Sequence, residues 1–185
     1  NFFLSCFFDK LNEQNINYCV LRNYNELPES LGGSDLDILV SLKDIDAFNS
    51  LLENVLQQSN GKIVIKYGKL TPRICIVGSY ANKWYGLQLD LHEGILPYKT
   101  TTMFPVNILL SRKTQYNNIS VANDDDADLI AFLKEILNNG KCKESYFIKA
   151  RIAWIKNKVF YSDILLEIYG ENFIKLLSDI FESDF

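Results

Sequence analysis

Two carboxylates lie one residue apart at the start of an aliphatic run in "GGSDLDILV", residues 32–40. Successive side chains of a β-strand point to opposite faces, so Asp35 and Asp37 should share one face while Leu36 and Ile38 pack behind it. Carboxylates held this close repel each other unless a cation lies between them. Because Mg²⁺ and Mn²⁺ prefer oxygen ligands, the pair predicts a divalent metal site. The alternative is a solvated strand end, where acidic side chains are common.

A third acid lies in the alternating stretch "YGLQLDLHEG", residues 85–94. The leucines of this stretch occupy one face of the predicted strand, so Asp90 should lie on the opposite face. An acid in the middle of so apolar a strand predicts a functional carboxylate, and the alternative is the polar outer face of an edge strand. His92 shares the face of Asp90 and is a candidate general base, although a lone histidine is more often an ordinary polar strand residue.

Candidate phosphate ligands precede the acid pair. Gly33 and Ser34 form a turn whose backbone N–H groups could cradle phosphate oxygens. Arg22 and Asn23, which follow the short apolar run before the loop, could donate to the same phosphates. The structural alternatives are a simple turn into a strand and an ordinary surface residue at a strand end. Basic residues of the following hairpin could also hold phosphates, but we interpret them as solvated charges that protect a sheet edge, namely Lys62, Lys66, Lys69 and Arg73.

A β-sheet is required to bring these residues together, and the hydrophobic periodicity predicts one. The predicted strands are 18–22, 34–42, 62–68, 73–81 and 85–95, with 62–68 and 73–81 as a hairpin. Helices are predicted over 2–14 and 43–59, the latter capped by Asp44. After a looser stretch, 97–118, the pattern becomes helical over 124–140, 143–157 and 161–181. A domain boundary is therefore expected near residue 122.

Composition narrows the classes of function. A net charge of −4 provides no polycationic surface, so no nucleic-acid polymer is expected as a partner. The four cysteines are far apart and there is a single histidine, which makes a zinc site improbable and predicts reduced thiols in the cytoplasm. No run approaches the roughly 20 apolar residues of a membrane span. Because the chain starts without Met, we expect it to be a piece of a longer protein.

Taken together, the acid pair and the later third acid resemble the nucleotidyltransferase superfamily, which includes aminoglycoside and polymerase-beta-like enzymes. In that superfamily a strand with a Gly-Ser signature precedes an acid-x-acid pair, and a third acid comes from a later strand. Here "SDLDILV" matches the pair and "LQLDLH" supplies the third acid. The stretch "VLRNYNELPESLGGSDLDILV" looks most like a divergent bacterial branch with LR-G or LK-G in place of Gly-Ser. The helical tail from "VANDDDADLIAFLKEIL" onward also resembles that branch.

The resemblance implies an α+β fold. A mixed β-sheet core with flanking helices would cover 1–122, and a helical subdomain would cover 123–185. It also implies that the hydroxyl of a small molecule, such as a sugar or polysaccharide precursor, attacks the α-phosphorus of a nucleoside triphosphate with Mg²⁺ or Mn²⁺ as cofactor. The implied catalytic and metal-binding residues are Asp35, Asp37 and Asp90, and the implied nucleotide ligands are Arg22, Asn23, Gly33 and Ser34.

Two other interpretations stay open. Arg22 and Asn23 stand where the superfamily has Gly-Ser, which would fit a nucleotide-binding module that has lost catalysis. A metal-dependent glycosyltransferase also uses an acid-x-acid pair, although that pair usually ends a hydrophobic strand and here it begins one.

Overall fold

The computed structural model describes residues 2–183, so residues 1, 184 and 185 of the two predicted domains lie outside it. The fold is α+β, as the sequence predicts. The helices are α1 (Phe2–Glu13), α2 (Ile45–Gln58), α3 (Val106–Arg112), α4 (Asp124–Asn139), α5 (Glu144–Lys156), α6 (Lys158–Tyr169) and α7 (Glu171–Glu182). The strands are β1 (Tyr18–Val20), β2 (Leu36–Val40), β3 (Gly61–Tyr67), β4 (Arg73–Tyr80), β5 (Lys83–Glu93), β6 (Pro97–Tyr98), β7 (Thr101–Thr102), β8 (Thr114–Tyr116) and β9 (Ile119–Val121).

The chain divides into two compact units, one formed by residues up to 95 together with 106–122, the other by 96–105 together with 123 onward. The first unit contains a seven-stranded mixed sheet in the order β3-β4-β5-β2-β1-β9-β8. Strand β2 is parallel to β5 and antiparallel to β1, while β3, β4 and β5 form an antiparallel meander. The parallel β2–β5 pair lies in the middle of the sheet and positions the candidate site.

The core of the first unit lies on one face of this sheet, where helices α1 and α2 pack. Helix α1 buries the apolar stripe that its spacing predicts, Phe3, Leu4, Phe7, Phe8 and Leu11. Alternate residues of β2 and β5, among them Ile38 and Leu89, point into the same cluster. Burying one such side chain stabilises the folded state by about 1.5–3 kcal/mol. Because side chains alternate along a strand, burial of these residues in the core determines which residues point to the opposite face.

Three local details differ from the predictions. Asp44 occupies the N-cap position of α2, but its carboxylate accepts the Asn17 backbone N–H at 3.1 Å instead of capping the helix. The stretch 97–118, predicted to be loose, contains α3 and strand β8, which pairs with β9 at the sheet edge. The helical segment 161–181 is two helices, because Gly170 takes a positive φ of 79° between α6 and α7.

In the second unit, helices α4, α5 and α7 contribute to an aromatic cluster centred on Phe181. The side chain of Asn123 accepts the N–H of Asp125 and so caps α4, as expected for acids crowding a helix N-terminus. Asp126 is fully buried and accepts the Tyr161 hydroxyl at 2.8 Å, which ties α4 to α6. Among residues 2–183, no helix combines the length and the apolar character that crossing a membrane requires.

Candidate active site

Asp37 and Asp90 stand side by side on the face of the sheet opposite the core. The register of the parallel strands β2 and β5 pairs Asp37 with Asp90, and paired residues of neighbouring strands project to the same face. Their neighbours Ile38 and Leu89 point into the core, as the alternation predicts. Both acids are nearly enclosed, with 2% and 7% of their surface exposed. Carboxylates buried this deeply require compensating partners.

Arg22 compensates Asp37. The Leu21 N–H donates to the Asp37 carbonyl at 2.9 Å, which continues the β1–β2 pairing and brings the next residue to the edge of the site. The Arg22 Nε then donates to Asp37 Oδ2 at 2.5 Å. The arginine that sequence reasoning assigned to a triphosphate therefore contacts a catalytic candidate in this structure. Asn23, which follows it, takes a left-handed backbone conformation with φ of 57°.

Arg73 compensates Asp90 from the other side. The antiparallel β4–β5 pairing places Arg73 directly opposite Asp90, and the Arg73 Nε lies 3.4 Å from Asp90 Oδ2. The other oxygen of Asp90 accepts the Gln88 side-chain amide at 2.8 Å. The Arg73 guanidinium also lies 5.9 Å from the centre of the Tyr67 ring, with Nη1 at 3.5 Å from the Tyr67 hydroxyl. The hydrogen bond to Tyr67 and the nearby charge of Asp90 raise the pKa of Arg73, and Asp35 adds to that effect.

Asp35 differs from the two buried acids. Strand β2 begins at Leu36, so Asp35 precedes the strand instead of lying within it, and its side chain is exposed. Its charge adds to the effects that raise the pKa of Arg73. The acid pair thus combines one exposed and one buried carboxylate.

His92 extends the site along β5. Its Nε2 lies 3.8 Å from Asp37 Oδ1, and 12% of its side chain is exposed. Within the described part of the chain, its buried Nδ1 has no hydrogen-bond partner. Asp90 and His92 lie on the same face of β5, as the alternation predicts. The His92 imidazole, however, approaches Asp37 of the neighbouring strand β2.

The glycine turn is only partly suited to phosphate binding. The backbone N–H and the hydroxyl of Ser34 both donate to the Leu31 carbonyl, at 3.0 and 2.7 Å, so both are used within the turn. Gly33 is exposed and has a φ of 77°. Beside this turn lies a cavity of about 360 Å³, lined by Glu29, Ser30, Leu31, Gly33, Ser34, Gly86, Leu87 and Gln88. Gln88 lines this cavity and also donates a hydrogen bond to the Asp90 carboxylate.

The donors of this site suit a hard divalent cation. Asp35, Asp37 and Asp90 offer carboxylate oxygens, which are the ligands that Mg²⁺ and Mn²⁺ prefer. Arg22 and Arg73 lie against two of these carboxylates in the structure. Over residues 2–183, no three Asp, Glu, His or Cys side chains are grouped closely enough to hold a metal ion in this arrangement. The oxygens are of the kind that the ion prefers, but in this arrangement guanidinium groups compete with it for two of the three carboxylates.

Sequence reasoning missed the role of Arg73 and of Gln88. Arg73 was interpreted as a solvated charge at a sheet edge, but β3 is the edge strand and β4 lies inside the sheet. In the structure, Ala81 and Asn82 form a two-residue turn between β4 and β5, and both have positive φ. A two-residue turn at this position sets the hairpin register and pairs Arg73 with Asp90.

Comparisons with protein-family models, with curated proteins and with solved structures return no match for this chain.

Proposed function

We propose that this chain is a cytoplasmic, Mg²⁺- or Mn²⁺-dependent nucleotidyltransferase of the superfamily that its motifs resemble. It would move a nucleoside monophosphate group from a nucleoside triphosphate to the hydroxyl of a small molecule. The observation that carries the proposal is the pairing of Asp37 with Asp90 on neighbouring parallel strands, opposite the core and beside Asp35. Three carboxylates, two near the start of β2 and one on the neighbouring β5, are suited to a substrate whose charge is compensated by metal ions.

The residues have separable roles in this reaction. A divalent ion held by Asp35, Asp37 and Asp90 would neutralise triphosphate charge. Arg22 and Asn23 would donate to phosphate oxygens. Asp90 would accept the proton of the acceptor hydroxyl as its oxygen bonds to the α-phosphorus and the bond to pyrophosphate breaks. Gln88 holds the Asp90 carboxylate in orientation through its hydrogen bond to Oδ1.

A nucleotide-binding module without turnover is the second candidate. It is favoured by the two arginine–carboxylate pairs, Arg22 with Asp37 and Arg73 with Asp90, which compensate both buried acids by protein groups alone. It is also favoured by Ser34, whose N–H is committed to the turn. Binding and turnover must therefore be measured separately.

Isothermal titration calorimetry tests the proposal with ATP, CTP and UDP-sugars, each with and without Mg²⁺. We expect a nucleoside triphosphate to bind only with the metal, because Arg22 and Arg73 offset only two of the three carboxylates and leave the site negative toward a polyanion. Pyrophosphate release would then distinguish the enzyme from the binding module. Exclusive binding of a UDP-sugar would instead indicate a glycosyltransferase. The absence of metal-dependent nucleotide binding at millimolar ligand would contradict the proposed function.

A further inference from the structure

We propose that Arg73 is a phosphate-binding residue that Asp90 holds in the ligand-free site and releases to the triphosphate when nucleotide and metal bind. This inference rests on the proposed function and extends it to a residue outside the superfamily motifs. The starting observation is that Arg73 projects from β4 onto the same face as Asp90, directly opposite it in register.

The Arg73–Asp90 contact is loose enough to exchange. Its Nε–Oδ2 distance is 3.4 Å, longer than the roughly 2.7–2.9 Å of a strong charge-assisted hydrogen bond. About half of the Arg73 side chain is exposed, at 51%, so water can solvate the guanidinium as it moves. By contrast, the Arg22–Asp37 contact is 2.5 Å long. Breaking the Arg73–Asp90 contact should therefore cost less free energy than breaking the Arg22–Asp37 contact.

Neighbouring groups preserve the site during this exchange. Gln88 holds Asp90 Oδ1 at 2.8 Å, so the carboxylate keeps its orientation after Arg73 leaves Oδ2. Tyr67, the residue opposite Arg73 on β3, contacts the guanidinium through both its ring and its hydroxyl. The guanidinium can thus change its anionic partner while it stays anchored beside the site.

Electrostatics gives the direction of the exchange. Arg73 and a divalent cation compete for the same Asp90 oxygen, because both are cations that bind carboxylates. A bound nucleotide brings several phosphate oxygens, to which a guanidinium donates through two N–H groups at once. Arg73 therefore weakens metal binding to the empty site and strengthens nucleotide binding to the metal-loaded site.

These two effects have opposite signs, which allows a sharp test with Arg73→Gln. In the absence of nucleotide, Mn²⁺ affinity, followed by electron paramagnetic resonance of free Mn²⁺, should rise about two- to fivefold. At saturating Mn²⁺, the affinity for ATP or CTP in calorimetry should fall about tenfold or more. Arg73→Lys should keep Mn²⁺ affinity close to that of the unchanged protein and recover part of the nucleotide affinity.

Lys66→Gln is the matched control. Lys66 lies on the same hairpin as Arg73 and is exposed. It pairs with Ile74, whose side chain is in the core, so Lys66 projects from the face of the sheet opposite Arg73. It should leave both affinities unchanged, and thermal unfolding should show all variants folded. If the unchanged protein binds nucleotide with metal but Arg73→Gln lowers both affinities or neither, the exchange is wrong and the proposed function stands. If the unchanged protein shows no metal-dependent nucleotide binding, both proposals fail.

Discussion

Asp35 and Asp37 differ in environment although their spacing suggests equivalent roles. Asp37 is enclosed and its charge is matched by Arg22, whereas Asp35 is exposed at the strand start. A buried carboxylate whose partner is removed costs several kcal/mol, while an exposed one costs little. The same chemical change at the two positions should therefore have different consequences for stability.

We predict that Asp35→Asn and Asp37→Asn both abolish metal-dependent nucleotide binding but separate in urea denaturation. Asp35→Asn should change the free energy of unfolding by no more than about 0.5 kcal/mol. Asp37→Asn should lower it by about 1–3 kcal/mol, because Arg22 loses its anionic partner. Glu53→Gln, which removes an exposed acid of α2, is the control for charge alone. Equal stabilities for the two Asn variants would contradict a stabilising contact between Arg22 and the buried Asp37.

At the scale of elements, the strand that carries Asp90 is anchored on the core face by Tyr85. The Tyr85 ring lies over Gly78 of β4, and its hydroxyl is within 2.8 Å of the Ser59 hydroxyl at the end of α2. A Cβ atom added at Gly78 would lie 2.4 Å from the ring. Gly78 is therefore required by close packing, and this contact helps to hold the β4–β5 register that brings Arg73 to Asp90.

We expect Gly78→Ala to lower the free energy of unfolding by about 1–3 kcal/mol, because the ring must move to accommodate the methyl group. Gly86→Ala is the control, since the nearest heavy atom to an added Cβ there is the Ile76 carbonyl oxygen, at 3.8 Å. Chemical denaturation of both variants measures the difference. Equal losses at the two glycines would show that Tyr85 does not lie over Gly78.

At the scale of the whole molecule, each unit contains a tyrosine that is difficult to ionise. Burial raises the pKa of Tyr18 in the first unit to about 12, although the Ser120 N–H partly offsets this effect. In the second unit, burial raises the pKa of Tyr169 to about 12, and its hydroxyl donates to the Met103 carbonyl at 3.1 Å. An unfolded tyrosine ionises near pH 10, so unfolding releases protons above that pH.

Both units should therefore lose stability in the same alkaline window. The folded state keeps these protons up to about pH 12, so the contribution is complete below about pH 10 and is lost as the pH rises between the two values. The difference in unfolding free energy between the unchanged protein and Tyr18→Phe should shrink by about 1.4 kcal/mol per pH unit in this window. Tyr169→Phe should behave likewise, and a difference independent of pH would contradict the prediction.

The local pattern of residues was sufficient for much of the fold. Period-2 alternation in β5 predicted that its leucines are buried and that Asp90 points away from them, because a half-buried strand separates its faces in this way. The apolar stripe of α1 was likewise readable, since helical spacing puts its members on one side. The same periods predicted strands in the first part of the chain and a change to helical periodicity near residue 122, which agrees with the α+β class.

Contacts between residues distant along the chain supplied the remainder. The short strands β8 and β9 were missed because three residues carry too little periodicity, and β9 is held by pairing with β1. The pairing of Asp37 with Asp90 depends on the order of strands in the sheet, which no local pattern encodes. The partners of the buried acids depend on it too. Arg22 and Arg73 are ordinary surface residue types, and they become counter-charges because strand register places them beside carboxylates that are largely removed from water.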